Sequence, residues 1–265
     1  MNGPILSIIT VNFNNNLGLL KTLESVSSQS FSSYEHIIID AGSTDGSRET
    51  IIQYEKENPH LSFWSSESDK GIYDGMNKGI DHAKGQYLYF LNSGDCLSQD
   101  ILAKIPFDGT EYLYGDTILF YKRKTKKRVY PDTLDLIYLS DNSLHHQSCF
   151  IHHTLFKDKR YDINYKIISD WAHCFQCLII ECDGRGISSN GKELNQERTL
   201  WFQNTFPATQ SKVFIDCAAL DRSGFRDIIH ILANTHKFKK RMKTLILFLY
   251  KINNLFSYKH KRIKN

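Results

Sequence analysis

The sequence predicts an α/β fold built on a mixed, mainly parallel sheet flanked by helices, with an amphipathic helical tail at the C-terminal end. Three observations carry that expectation. Over the first ninety residues short apolar runs alternate with stretches of helical spacing, the pattern of βαβ units. Each apolar run stops at a polar turn. The final thirty residues hold ten Lys and Arg and no Asp or Glu, a composition unlike the body.

Taken in order, Ile5 to Val11 is a near-continuous apolar run, as expected of a strand buried on both faces. Leu17 to Val26 follows with Leu20, Leu23 and Val26 at helical spacing. Ile37 to Ile39 reads as a second strand ending at Asp40, and Ile51, Ile52 and Tyr54 mark a helix after the turn Gly42 to Gly46. Leu61 to Trp64 is a third strand, Ile72, Met76, Ile80 and Ala83 a helix face, and Tyr87 to Leu91 a fourth strand that stops at Asn92. From Tyr112 the pattern changes to a strand and an antiparallel hairpin whose basic turn spans Lys122 to Arg128. Phe150-Ile151 reads as a further strand and Asp170 to Glu181 as a helix.

Length and average composition allow one large body, residues 1–205, and a tail, residues 206–265. The first residues show no basic segment followed by an apolar one, so the expectation is a chain that begins near Met1 and works in the cytoplasm. The six cysteines sit in apolar segments and read as reduced thiols. Cys174, Cys177, His173 and Cys182 lie on an apolar helical pattern with no second ligand pair, so packing rather than zinc is expected there.

In an open parallel sheet, ligands bind beyond the carboxyl ends of the strands. That rule selects Asn12 and Asn14 after the first strand, Asp40 after the second, Glu67 and Asp69 after the third, and Asn92 to Asp95 after the fourth. Neither a Gly-x-Gly-x-x-Gly turn nor a P-loop is present, so a phosphate ligand needs another counter-charge. A divalent cation, Mn²⁺ or Mg²⁺, supplies it, with Asp95 as the expected ligand.

The ordered stretches Ser7-Ile-Ile-Thr-Val-Asn12, Ile39-Asp40-Ala-Gly-Ser-Thr-Asp45-Gly, Ser66-Glu-Ser-Asp-Lys-Gly-Ile-Tyr-Asp-Gly-Met-Asn-Lys-Gly79 and Phe90-Leu-Asn-Ser-Gly-Asp95 resemble family-2, GT-A-type inverting glycosyltransferases. The resemblance extends over about residues 5 to 190 and is similar to bacterial enzymes of colanic-acid and O-antigen assembly. It implies a nucleotide-sugar donor, a donor half at 1–110 and an acceptor half at 111–205. It also implies that Asp40 contacts the base or ribose, and that Thr10, Asn12, Asp69, Lys70, Asn77, Asn92 and Ser93 line the donor site. Asp95 becomes the final acid of the metal-binding motif, whose usual first acid is Asn92 here. Met76 stands where many relatives carry Arg, so a cationic contact to the nucleotide is either missing or supplied elsewhere, for example by Lys70.

Inversion needs a base on the acceptor hydroxyl. The resemblance implies Asp170, which opens a helix and has a plain N-cap as its lesser reading. Trp171 is then positioned to stack on a sugar, and Asp116 is a further polar position beside the site. His145 and His146 read either as reaching the metal or diphosphate or as satisfied loop histidines. Tyr73 is open between site and packing.

In the tail, Met242, Leu245, Ile246, Leu249, Ile252 and Phe256 form one apolar stripe among cations. The stripe is too short to span a bilayer, so it is expected to lie on an anionic membrane surface at the inner face of a bacterial inner membrane, with a docked C-terminal helix as the other reading. No nucleic-acid motif accompanies the charge. The combined expectation is single-hexose transfer, with UDP-sugar as donor and a polyprenyl-diphosphate-linked saccharide of the GlcNAc type as acceptor. A sugar nucleotidyltransferase would need a Gly-rich cationic loop where Asn12 to Asn16 stands, and a non-catalytic peripheral protein would have no use for Asp40, Asp95 and Asp170.

Overall fold

In the computed structural model the residues described are 3–121, 124–132, 134, 138–139, 142–175 and 260–263. They fall in two compact units, one of Met1–Asp132, His145–Ser169 and Lys259–Asn265, the other of Thr133–Leu144 and Asp170–Tyr258. The first unit carries β1 (Leu6–Asn12), α1 (Asn16–Ser27), β2 (Tyr34–Asp40), α2 (Ser47–Glu57), β3 (Leu61–Ser66), α3 (Ile72–His82) and β4 (Tyr87–Phe90). It continues with β5 (Tyr112–Tyr114), the hairpin β6 (Thr117–Tyr121) and β7 (Lys124–Arg128), β8 (Cys149–His152) and β9 (His260–Arg262). A short helix, α4 (Ser169–Phe175), lies in the second unit from Asp170 onward.

Among the described residues a seven-stranded sheet runs in the order β3-β2-β1-β4-β8-β5-β9. β1 pairs in parallel with β2 and β4, and β2 with β3, so the four strands expected from the apolar runs form one parallel block. β8 is antiparallel to both β4 and β5, which makes the sheet mixed. Every residue of β1 and β2 is buried, as near-continuous apolar strands require when helices cover both faces. The basic stretch expected as a turn is instead largely strand, since Lys124–Arg128 pairs along β6. β9 corrects the tail: residues 260–262, expected within a helix, pair in parallel with β5, and Ile263 enters the core with Leu113 and Phe150. The apolar stripe Met242 to Phe256 lies outside the described residues.

Helix α3 lies on β1 and β2. Its Gly75 and Gly79 face β1: a Cβ on Gly75 would stand 2.8 Å from Val11 Cγ1, and one on Gly79 would overlap Ile9 Cγ2. Glycine permits this close approach at some cost in helix propensity. The buried polar residues of β1 and β2 are matched across the sheet. Ser7 Oγ donates to Glu35 at 2.6 Å, and the two ring nitrogens of His36 bridge Thr10 Oγ1 at 2.9 Å and the Tyr54 hydroxyl at 3.0 Å.

Two outcomes follow. Gly79→Ala is expected to lower the unfolding free energy by about 1 to 3 kcal/mol despite alanine's better helix propensity; a melting temperature at or above wild type would reject the close-packing account. Burial drives the His36 pKa down from 6.5 to about 3. The ring is therefore neutral when folded, its contribution is complete above about pH 6.5, and it is lost as pH falls toward 3. Between pH 7.5 and pH 5 this group should remove about 2 kcal/mol of urea-measured stability. The slope should flatten in His36→Gln, and equal slopes in the two proteins would exclude His36 as the cause.

Candidate active site

The parallel register sets the site. Asn12 lies opposite Asp40 and Asp40 opposite Ser66, while Ser93 N donates to Val11 O at 3.0 Å, so the turns after β2, β1 and β4 meet at one edge. The asparagines after β1 brace those turns together. Asn14, at φ +46°, donates its backbone N–H to Ser43 Oγ and accepts from Thr44 N. Asn15 caps α1 by accepting from Gly18 N and donates from Nδ2 to Ser93 O at 2.9 Å. Asn16 N donates to Asp45 Oδ2 at 2.7 Å.

Asp40 is fully enclosed. Its Oδ1 accepts from Asn12 Nδ2 at 2.7 Å and Ser43 Oγ at 2.5 Å, and its Oδ2 from Ser43 N at 2.9 Å and Ser66 Oγ at 2.6 Å. Burial alone would raise its pKa; the bonds from Ser43, Ser66 and Asn12 outweigh that and hold it below the ordinary carboxylate value. Four donors fill the roughly four acceptor positions of a carboxylate, so a base or ribose meets this carboxylate only if Ser43 or Ser66 gives way.

Three oxygens on this edge are left over. Asn12 Oδ1, Asp69 Oδ2 and Asn92 Oδ1 are buried with no hydrogen-bond partner; Asn12 ends β1, and Asp69 and Asn92 follow β3 and β4. An unmatched buried acceptor costs about 1 to 3 kcal/mol, a cost that a bound water, ion or ligand removes. Asp69 Oδ1 meanwhile accepts from Gly71 N at 2.8 Å ahead of α3, and Lys70 beside it is exposed.

The turn after β4 is held from two sides. Thr22 of α1 donates its hydroxyl to Asp95 O at 2.7 Å and accepts from Gly94 N at 3.0 Å. The segment His145 to Gln147 then meets the side chains: Gln147 Nε2 donates to Asp95 Oδ2 at 2.8 Å, and Asn92 Nδ2 lies 2.9 Å from His146 Nε2. His146 therefore stands at the turn after β4, within bonding distance of Asn92. Burial, then Arg128 and His146, lower the His145 pKa to about 4, so that neighbour is neutral.

Among the described residues no group of three His, Cys, Asp or Glu forms a metal cage. The chemistry of the turn nevertheless fits a hard divalent cation. Asp95 keeps Oδ1 beside the oxygen engaged by Gln147, and Asn92 offers an unpartnered amide oxygen. Mg²⁺ and Mn²⁺ accept oxygen ligands and are commonly held by one or two protein groups together with phosphates and water.

Several residues predicted for the site are engaged elsewhere. Thr10 is buried in the sheet against His36, because it faces the core one pleat short of Asn12. Asn77 donates to Tyr161 O and accepts from Tyr161 N, spending its amide on the backbone of the segment before α4. Tyr73 does similar work, donating to Ile167 O at 2.7 Å, so packing is its role. Asp116 pairs with Arg262 at 3.0 Å and Lys127 at 3.1 Å. Burial would raise its pKa, but Lys127, the Tyr130 amide and Arg262 hold it low; its charge is consumed by the returning C-terminal strand. Met76 is buried and brings no charge.

In the second unit Asp170 stands in the first turn of α4, 2 % exposed, and accepts from Trp171 N at 2.9 Å. Trp171 is fully buried and donates from Nε1 to Leu139 O at 2.9 Å. Its ring is packed rather than presented to a sugar. The sequence reading missed Ser43, Ser66 and Gln147, which bond the two key carboxylates; Ser and Gln carry no charge pattern to mark them.

The sequence model for glycosyl transferase family 2 matches residues 7–164, which include the whole donor edge and stop short of Asp170. A PGL/p-HBAD biosynthesis glycosyltransferase of Mycobacterium bovis is 29% identical over 186 residues, 67% of this chain and 71% of that protein. An uncharacterized glycosyltransferase of Mycobacterium tuberculosis is 42% identical over 103 residues, and the matched part spans 38% of each chain. Among solved structures, S. aureus TarS 1–349 in complex with UDP aligns with a TM-score of 0.60 at 13% identity, covering 87% of this chain and 75% of that one. Mannosyltransferase PcManGT from Pyrobaculum calidifontis, in complex with GDP-Man and Mn²⁺, aligns with a TM-score of 0.55 at 12% identity over 95% of this chain and 86% of that one. The mixed sheet with its parallel donor block is thus the GT-A arrangement, and the chain belongs to glycosyl transferase family 2.

Proposed function

We propose that this protein transfers a single hexose from a UDP-sugar, with inversion, to a polyprenyl-diphosphate-linked saccharide of the GlcNAc type during assembly of a bacterial surface polysaccharide. The observation that carries the reading is the set of three unmatched acceptor oxygens, on Asn12, Asp69 and Asn92, along the carboxyl edge of a parallel block. A nucleotide sugar brings what they lack, namely base N–H and sugar hydroxyl donors and a cation-bridged diphosphate. Relatives named for PGL/p-HBAD and teichuronic acid biosynthesis support a surface glycan as product. The apolar stripe of the tail supports a peripheral position at the inner face of the membrane.

A divalent cation bound with the donor would neutralise the diphosphate as it departs. Asp95 and Asn92 would hold it, Asp95 through the oxygen that Gln147 leaves open. Asn12 and Asp69 orient the donor through their unmatched oxygens. Asp170 takes the proton from the acceptor hydroxyl as that oxygen attacks the anomeric carbon opposite the leaving diphosphate. Within the first unit, the segment that ends at Ser169 is held to α3 through Tyr73 and Asn77.

The test is a panel of nucleotide sugars offered to the purified protein with a lipid-diphosphate GlcNAc acceptor, with and without EDTA; no transfer from any donor would sink the proposal. Asp95→Ala should lower kcat by about a hundredfold or more and abolish Mn²⁺ binding measured by electron paramagnetic resonance in the presence of UDP. Undiminished Mn²⁺ binding would remove Asp95 as ligand. Asp170→Asn should lose transfer by at least about a hundredfold with UDP affinity intact, and retained turnover would remove Asp170 as base.

A further inference from the structure

Strands β6 and β7 pair with each other in a two-stranded ribbon, apart from the seven-stranded sheet. Between Asp116 and Asp132 the sequence holds six Lys and Arg and no acid. Ile118 is 46%, Phe120 83%, Tyr121 52% and Val129 59% exposed, a cluster of large apolar side chains in one short segment. Lys127 is engaged with Asp116 and Arg128 sits over the Tyr130 ring, whereas Lys124 and Lys126 are exposed along β7. Tyr121 lies opposite Lys124, whose ammonium stands 5.9 Å from the Tyr121 ring centroid.

Lysines on a ribbon edge serve to discourage strand pairing between molecules, and single exposed apolar residues are ordinary. Neither accounts for Ile118 and Phe120 standing out together on one face of a ribbon whose other face carries Tyr121, Lys124 and Lys126, so that a ribbon entering end-on brings both faces to a surface at once. Aromatic and aliphatic side chains among lysines, with no acid in residues 117–131, match an anionic lipid surface: rings enter the headgroup layer while ammonium groups meet lipid phosphates. The topology adds a direction. β8 is antiparallel to both β4 and β5, so β5 runs parallel to the donor block and ends at the same edge. The ribbon begins at Thr117, directly after that end across Gly115 and Asp116.

We propose that the β6–β7 ribbon docks on the anionic surface of a membrane, holding the carboxyl edge of the sheet toward the lipid. Its use, meeting a lipid-linked acceptor at that plane, rests on the function proposed above; the docking does not. The experiment places the full chain with vesicles of phosphatidylcholine, with and without phosphatidylglycerol. Phe120→Trp should gain emission that brominated phosphatidylglycerol quenches beyond any quenching of the native tryptophans. Lys124→Glu with Lys126→Glu, and Ile118→Ser with Phe120→Ser, should each weaken partitioning into phosphatidylglycerol vesicles by about tenfold or more. UDP affinity and transfer to a water-soluble diphosphate acceptor should stay unchanged. Equal partitioning with and without phosphatidylglycerol, partitioning untouched in both double variants, or no added quenching at position 120 overturns the docking. Phe120→Trp, with its fold read from UDP affinity, keeps the test decisive if a double variant fails to fold. Failure to transfer any sugar would count against the function alone, since vesicle binding is read without donor or acceptor.

Discussion

The parallel hydrogen-bond register that sets Asn12 beside Asp40, and Asp40 beside Ser66, is the constraint on which the donor edge depends. A shift of one residue would turn every side chain of a strand to the opposite face. Thr10 would then leave His36, Asn12 would leave Asp40, and the turns would no longer meet. The register is held by full burial of β1 and β2 and by polar pairs within that burial, Ser7 with Glu35 and Thr10 with His36. Such pairs are costly when broken because each leaves a buried donor or acceptor unmatched. They make neighbouring registers worse as well as this one better.

On that frame the site divides its polar groups into two kinds. Asp40, enclosed and bonded four times, serves as an organising anion whose charge is already spent on Ser43, Ser66 and Asn12. Asn12, Asp69 and Asn92 keep oxygens in reserve. The replacement of an acid by Asn92 lowers the negative charge of the turn while retaining an oxygen, and His146 and Gln147 hold the two side chains that would meet a cation. One carboxylate and one amide suit a cation that arrives with a charged diphosphate, whose oxygens complete the shell.

The C-terminal return changes the meaning of a residue far away in the chain. Asp116 is read from local pattern as a polar position beside the site, but β9 lays Arg262 against it and against Asp132, so its charge closes the sheet edge. A tail of ten cations carries no local mark of which one will be paired inside the fold, and three residues are too few for a strand period to show. The same limit applies to Trp171, whose position after Asp170 suggested a sugar platform and whose indole is packed on Leu139.

What could be read from residues in order was whatever depends on near neighbours. The four parallel strands announced themselves as apolar runs, their helices as stripes, and Asp40, Asn92 and Asp95 as polar stops at strand ends, because burial imposes periods of two and 3.6 on a chain. The crevice rule then placed those stops on one edge. Partner choice across the chain was beyond that reading. Gln147 on Asp95, Ser66 on Asp40, Tyr161 on Asn77 and Arg262 on Asp116 join positions tens to more than a hundred residues apart. A hydrogen bond is settled by a few tenths of an ångström and an angle, and those are set by how strands and turns pack, which no local pattern records.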